Sequence, residues 1–229
     1  MARTKTTTDR EIVEAAARVI ARVGPSCLRL ADVATEVGLA PATLLQRFKT
    51  KRDLLLAVTE LRRQEIVEDF AERRATVRSP VEALLSVKSK KHCFFNSRQQ
   101  VANSLASIQL SLTDPGFHEQ MHLLADTVRV ELASLIDEAI RVGELYPCDA
   151  DRLARTLMAV FHGSLIWWAV GEEGPVEAYI ERDIEMLVAP YRTGHVHDGP
   201  LAAAPAAATS PAPVRAASER LWEHPKPAR

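Results

Sequence analysis

The chain has 229 residues, 47% of them hydrophobic and 26% charged, with a formal net charge of −1. That is enough for one or two domains with a sizeable core, and the composition excludes a chain disordered throughout or a uniformly basic nucleic-acid binder. The charge is unevenly spread. Residues 1–52 hold ten Lys or Arg against five Asp or Glu, a net of +5, whereas residues 53–193 hold fifteen against twenty-two, a net of −7. A basic segment on an acidic body suits a head that meets phosphates and a body that phosphates repel. Cys27, Cys93 and Cys148 have no CxxC spacing, which suggests a reducing compartment without a disulfide framework. The N-terminus has no apolar signal core. No continuous apolar run reaches the ~18 residues of a membrane span; the longest candidate, 159–170, is interrupted by His162, Gly163 and Ser164. The expectation is a cytoplasmic protein with no membrane attachment.

Helical periodicity dominates, and no alternating strand pattern appears. Thr8-Asp9-Arg10-Glu11 is a capping box that opens a first helix. Its apolar stripe is Ile12, Ala15, Ala16, Val19 and Ile20, and Gly24-Pro25 ends it. Leu30, Val33, Ala34 and Val37 place a second helix over 30–37, closed by Gly38. After the turn at Gly38-Leu39, Pro41 suits the first position of a third helix over 41–48, where its missing N–H costs nothing. Leu44, Leu45 and Phe48 are available there for packing. Thr43, Gln46, Arg47, Lys49, Lys51 and Arg52 follow within ten residues. A short helix that combines hydrogen-bonding side chains with positive charge, set just after a Gly turn, is what the second half of a helix-turn-helix requires.

Thr50-Lys51-Arg52-Asp53 is a weaker capping pattern before a long fourth helix with Leu54, Leu55, Val58, Leu61 and Ile66, running to about residue 74. Ser79-Pro80-Val81-Glu82 opens a fifth helix directed towards residue 90. A sixth covers about 97–112, with Val101, Leu105, Ile108 and Leu112 on its apolar stripe. Asp114-Pro115 opens a seventh that reaches Val142 and stops at Gly143. Asp149 caps an eighth to about Val170, and Gly174-Pro175 starts the last, which Pro190 ends. About nine helices and no sheet make an all-α protein. From residue 194 the Ala/Pro-rich composition changes character, and 194–229 is expected to be a mostly disordered tail.

Leu30-Ala31-Asp32-Val33-Ala34, Val37-Gly38-Leu39, Thr43-Leu44, Phe48, Lys51 and Leu54-Leu55 together resemble the N-terminal pattern of the tetracycline-repressor (TetR/AcrR) family of transcriptional regulators. The resemblance covers about 50 residues. It implies a helix-turn-helix DNA-binding domain at 1–52 and a helical ligand-binding and dimerisation domain at 53–193. It also implies that Thr43 and Gln46 face the major groove, where Gln pairs with adenine and Arg47 reaches guanine or phosphate. Lys51 would hold a phosphate at the start of the fourth helix, and Arg3 and Lys5 would touch the backbone or a minor groove. The sequence departs from the family at four positions. Leu45 stands where a Tyr is usual, Ala40 replaces a Ser, Lys49 replaces a Pro, and Arg29 replaces a capping Thr. Two neutral phosphate donors are missing while Arg47 and Lys49 add charge, so affinity for DNA should be more salt-sensitive than in members with Tyr and Ser.

In the eighth helix Leu157, Phe161, Ser164 and Trp168 form part of a wide apolar stripe; Tyr179, Ile184 and Leu187 repeat it in the ninth. Such helices from two subunits make a four-helix bundle, so a homodimer is expected. Between head and bundle, His92, Phe95, Gln109, Phe117, Met121 and His122 are candidates to line a mostly apolar effector pocket. His118 and His122 are spaced i, i+4 but lack a third ligand nearby, and neither metal nor cofactor is expected. Phosphate loops, zinc spacings and GxSxG are absent, and Asp137-Glu138 and Glu172-Glu173 are poorly placed as acid–base pairs. The expected function is a non-enzymatic, DNA-binding regulator, a repressor released from a palindromic operator by a small molecule. A ligand-independent regulator or an activator is the alternative; an all-helical enzyme using His92-Cys93 or a purely structural dimer is less favoured.

Overall fold

A computed structural model describes residues 7–86, 95–171 and 173–194. Nine α-helices occur among them: α1 (Asp9–Val23), α2 (Leu30–Val37), α3 (Pro41–Arg47), α4 (Lys51–Thr76), α5 (Pro80–Leu85), α6 (Arg98–Thr113), α7 (Pro115–Arg141), α8 (Ala150–Gly171) and α9 (Val176–Val188), followed by a single 3₁₀ turn at Ala189–Tyr191. The described residues hold no strand, only one isolated bridge between Leu145 and Arg192. The protein is all-α, as its periodicity predicts. The fifth helix ends at Leu85, short of the expected residue 90. Arg3, Lys5, His92 and residues 195–229 lie outside the described residues.

The helix starts have local causes. The Thr8 hydroxyl accepts from the Glu11 N–H at 3.2 Å, and the Thr8 N–H donates to the Glu11 carboxylate at 2.7 Å. Thr50 and Asp53 make the same reciprocal pair at 3.1 Å each, so the shorter Asp closes the box as well as Glu would. Gly38 sits at φ +70° and turns α2 into α3, a left-handed conformation that a side chain would resist.

Apolar burial falls into two clusters. The first joins α1, α2, Leu44 of α3, and Leu54, Leu55 and Leu61 of α4, and it also takes in Phe117 from the first turn of α7. The second joins Phe70 of α4 to α5–α9 through residues such as Leu135, Ile136, Leu157, Leu165, Ile180 and Val188. Helices α4 and α7 therefore each contribute to both. On α6 the buried positions are Val101, Asn103 and Ser111. Leu112, expected on the buried stripe, is 75% exposed, because it lies about 100° round the helix from Ser111, beyond the packed face.

Polar contacts lock the two clusters together. Asn103 donates to the Ala21 carbonyl at 2.9 Å, across 82 residues of sequence, and so satisfies a carbonyl in the last turn of α1 that lacks a helical partner. Arg52 donates to Asp114 at 2.7 Å, and its guanidinium lies 5.3 Å from the Phe117 ring centroid. Towards the far end of α4, Arg74 reaches Glu131 at 2.7 Å and Glu138 at 3.1 Å on α7.

Helix α8 is long and apolar enough by length and composition to cross a membrane, with a mean hydropathy of 1.3 over its best window, although its longest continuous apolar run is short. Its inner face, Leu153, Ala154, Leu157, Leu165 and Trp168, is buried in the chain's own core. The Ser164 hydroxyl on that face donates to Asp183 of α9 at 2.7 Å, and the Trp168 indole donates to the Gly174 carbonyl at 3.0 Å.

Gly24 ends α1 at φ +81°, and a Cβ there would lie 2.9 Å from the Asn103 side-chain oxygen. Gly24→Ala is expected to lower stability by roughly 1–3 kcal/mol through both strain and crowding. In an Asn103→Ala background the crowding is gone and the strain remains. The added cost of Gly24→Ala should then shrink without vanishing in urea unfolding of the four variants.

Candidate nucleic-acid interface

Helix α3 has two faces set by its 3.6-residue period. Leu44 points inward and is completely buried, with Phe48 packed beside the same core. Ala42, Leu45 and Gln46, at i, i+3 and i+4, are exposed, and Lys49 is exposed just past the helix, which Phe48 ends in an extended conformation. Thr43 is half-buried at the edge of this face. Ala40 provides no side-chain cap, so the helix is held by Pro41, by the turn at Gly38 and by burial of Leu44. The turn itself is closed by the Leu39 N–H donating to the Ala34 carbonyl at 2.8 Å.

The cations divide into two groups. Arg47 donates to the Thr7 carbonyl at 2.6 Å and lies 3.3 Å from the Asp9 carboxylate; it ties the end of α3 to the start of α1. Lys51 donates to the Ser26 carbonyl at 2.6 Å and fixes the start of α4 to the α1–α2 connection. Lys49 has no such tether among the described contacts and stands exposed. The α1–α2 angle is held by Arg18 and Arg22, which both reach Glu36, at 3.1 Å and 2.7 Å. Hydrogen bonds from Arg22 and then Arg18 hold the Glu36 carboxyl below its ordinary range.

The expected effector-pocket residues occupy different surroundings. Phe95 packs at the rim of the body core. Phe117 is buried in the head core, while Gln109 and His122 are exposed and Met121 is half-buried. An open groove of about 360 Å³ lies where head and body meet, lined by Pro25, Ser26, Lys51, Arg52, Leu55, Leu110 and Phe117. No group of three His, Cys, Asp or Glu gathers as a metal site among the described residues.

Of the expected dimer residues, Leu157, Ser164, Trp168 and Ile184 are buried within the chain, and Phe161, Tyr179 and Leu187 are half-buried against the body core. Another apolar face is left open on α8 and α9. On α8 it is formed by Ile166, Trp167 and Val170, with Trp167 65% and Val170 66% exposed, and on α9 Met186 is 71% exposed. Periodicity held a signal for this face: Ala159, Ile166, Trp167 and Val170 make a second stripe on the opposite side of α8. Sequence reading also missed Asn103 and the pairing of Arg52 with Asp114, because the partners are distant in the chain.

Residues 12–58 match the model of a family described as bacterial regulatory proteins, tetR family. No curated protein matches the chain. Among solved structures, a putative transcriptional regulator from Saccharomonospora viridis, in complex with choline, shares 23% identity over 79% of this chain and 94% of its own, with a TM-score of 0.64. A TetR transcription regulator from Haloarcula marismortui shares 18% identity over 80% and 97%, with a TM-score of 0.65. The transcriptional regulator FadR from Bacillus subtilis, in complex with stearoyl-CoA, shares 17% over 80% and 98%, with a TM-score of 0.58. The three share the fold with this chain.

A hydrogen bond from Arg52, then the N–H groups of Phe117 and Gly116, lower the Asp114 carboxyl from its ordinary range. A carboxylate depressed in the folded state contributes stability that is present above its unfolded value and lost as pH falls through the folded one. Wild-type protein should therefore lose stability on acidification partly through Asp114. Asp114→Asn should show a flatter fall in urea midpoint from neutral into acid pH; identical profiles would contradict this.

Proposed function

The chain belongs, through residues 12–58, to the tetR family of bacterial regulatory proteins, and on that premise we propose that it is a homodimeric repressor released from a palindromic operator by a small-molecule effector. The observation that carries the reading is the exposed face of α3, which presents Gln46, with Lys49 just past its end, over a core that holds the helix from behind. Residues 1–52 act as the reading head and 53–193 as the effector-binding and dimerisation body. Thr43 and Gln46 contact base edges, and Lys49 and Lys51 contact phosphate, with Arg3 and Lys5 on the flanking backbone or minor groove. Arg47, engaged with Thr7 and Asp9, sets the direction of α3. The protein acts by binding rather than catalysis, in the cytoplasm where its DNA lies.

Dimerisation covers the open face of α8 and α9. Pairing Ile166, Trp167 and Val170 with their copies buries the apolar surface that α8 leaves exposed, and Met186 is the corresponding exposed apolar residue of α9. The resulting four-helix bundle has two-fold symmetry and places two heads about one helical turn apart, ~34–36 Å. Length and composition alone would also admit a lipid partner for α8; its buried inner face favours a protein bundle.

Switching runs through the polar contacts that α6 makes with the head. An effector in the body that displaces α6 pulls on Asn103 and Asp114, and through them on Ala21 and Arg52 in the head. The two heads then change separation, and the effector's preference for that arrangement is the coupling free energy. Regulators with this fold are seen with choline and with stearoyl-CoA, so the effector of this chain is proposed as a small molecule without a narrower class.

Incubating the full chain with genomic fragments tests the reading directly. Retardation of particular fragments, weakening steeply with salt as Lys and Arg release counterions, is the expected result; retardation without sequence preference would sink it. Trp167→Asp places a charge on the open face and should convert dimer to monomer in sedimentation. Operator affinity should fall by tenfold or more, roughly the loss of one half-site's cooperation.

A further inference from the structure

The outward face of α3 is apolar at the end where a DNA-reading helix is expected to be polar. Leu45 is 49% exposed, and Ala40, Pro41 and Ala42 are exposed beside it. None of these four side chains carries a donor or acceptor, so none makes a hydrogen bond to phosphate or to a base edge. One exposed leucine is ordinary on a protein surface. A continuous apolar strip on this helix is different, because Gln46 and Lys49 flank it and the head is the basic part of the chain. A surface of that charge meets DNA, and the major groove offers a single apolar group, the thymine C5-methyl.

We propose that Leu45 is a specificity-determining residue that packs on a thymine C5-methyl in each half-site, with Ala42 extending the contact. The proposal rests on the DNA-reading function assigned above. Gln46 is the next residue round the helix, and its amide suits the N6 and N7 edge of adenine. The two side chains together select adjacent A·T pairs. An aromatic hydroxyl at position 45 would bond phosphate whatever the sequence; leucine there exchanges an anchoring contact for a reading one.

The test first selects preferred sites from a random duplex library with the full-length protein. Each thymine of the best site is then replaced singly by deoxyuridine, which removes only the methyl group. One symmetric pair of positions should bind about threefold to tenfold more weakly when so replaced, the loss expected for one buried methyl. Leu45→Ala should bind the thymine and deoxyuridine sites equally, with the salt dependence of wild type, because phosphate contacts are untouched. Leu45 is exposed, so the variant keeps its core, and its helical circular dichroism should match wild type. Specific binding with no deoxyuridine effect, or an effect that survives Leu45→Ala, overturns the proposal and leaves the regulator reading standing. Selection of no preferred site overturns both.

Discussion

A helix of 26 residues, α4, spans two apolar cores, and α7 joins the same two through Phe117 at its start and Leu135 and Ile136 further on. Leu54, Leu55 and Leu61 lie in the head cluster and Phe70 in the body cluster. At 1.5 Å per residue the helix is about 39 Å long, and close packing at both ends leaves little room for independent sliding. Any change in how the body holds Phe70 or Arg74 is therefore felt at the start of α4, beside the reading helix.

Other head–body contacts gather at the ends of α6. Near one end, Asn103 completes the hydrogen bonding of α1; just past the other, Asp114 holds Arg52 while capping α7. Phe117 adds an apolar plug from the body into the head. A buried amide and a partly exposed ion pair respond differently to disturbance. The amide leaves an unsatisfied carbonyl if withdrawn, whereas the ion pair exchanges its partner for water at small cost.

The reading helix shows a similar division of labour. Leu44 and Phe48 hold it, Arg47 aims it through the Thr7 carbonyl, and its outward side chains are left to make contacts, while Lys51 fixes the start of α4 through the Ser26 carbonyl. Three of the four cations that stand near one another in sequence, Arg47, Lys51 and Arg52, thus have internal partners. The departures at Ala40 and Leu45 remove hydroxyls from the surface without touching the buried side, so the frame survives while its contact chemistry changes.

Helix number, order and most boundaries were legible in the sequence, because capping boxes, Gly and Pro stops and a 3.6-residue apolar period are local signals. The helix-turn-helix was legible for the same reason: Gly38, Pro41, Leu44 and Phe48 lie within a dozen residues of one another. Periodicity identified α8 and α9 as unusually apolar but did not say which stripe faces inward. Leu157 and Trp168 turned out to be buried in the chain itself, and Trp167 and Val170 to be the open ones, because an apolar helix with two stripes is assigned only when its neighbours are in place. Asn103 with Ala21, Arg52 with Asp114, and Phe117 in the head core are pairings across 62 to 82 residues or between distant elements. No local period encodes them; they exist only once the two cores have packed around α4.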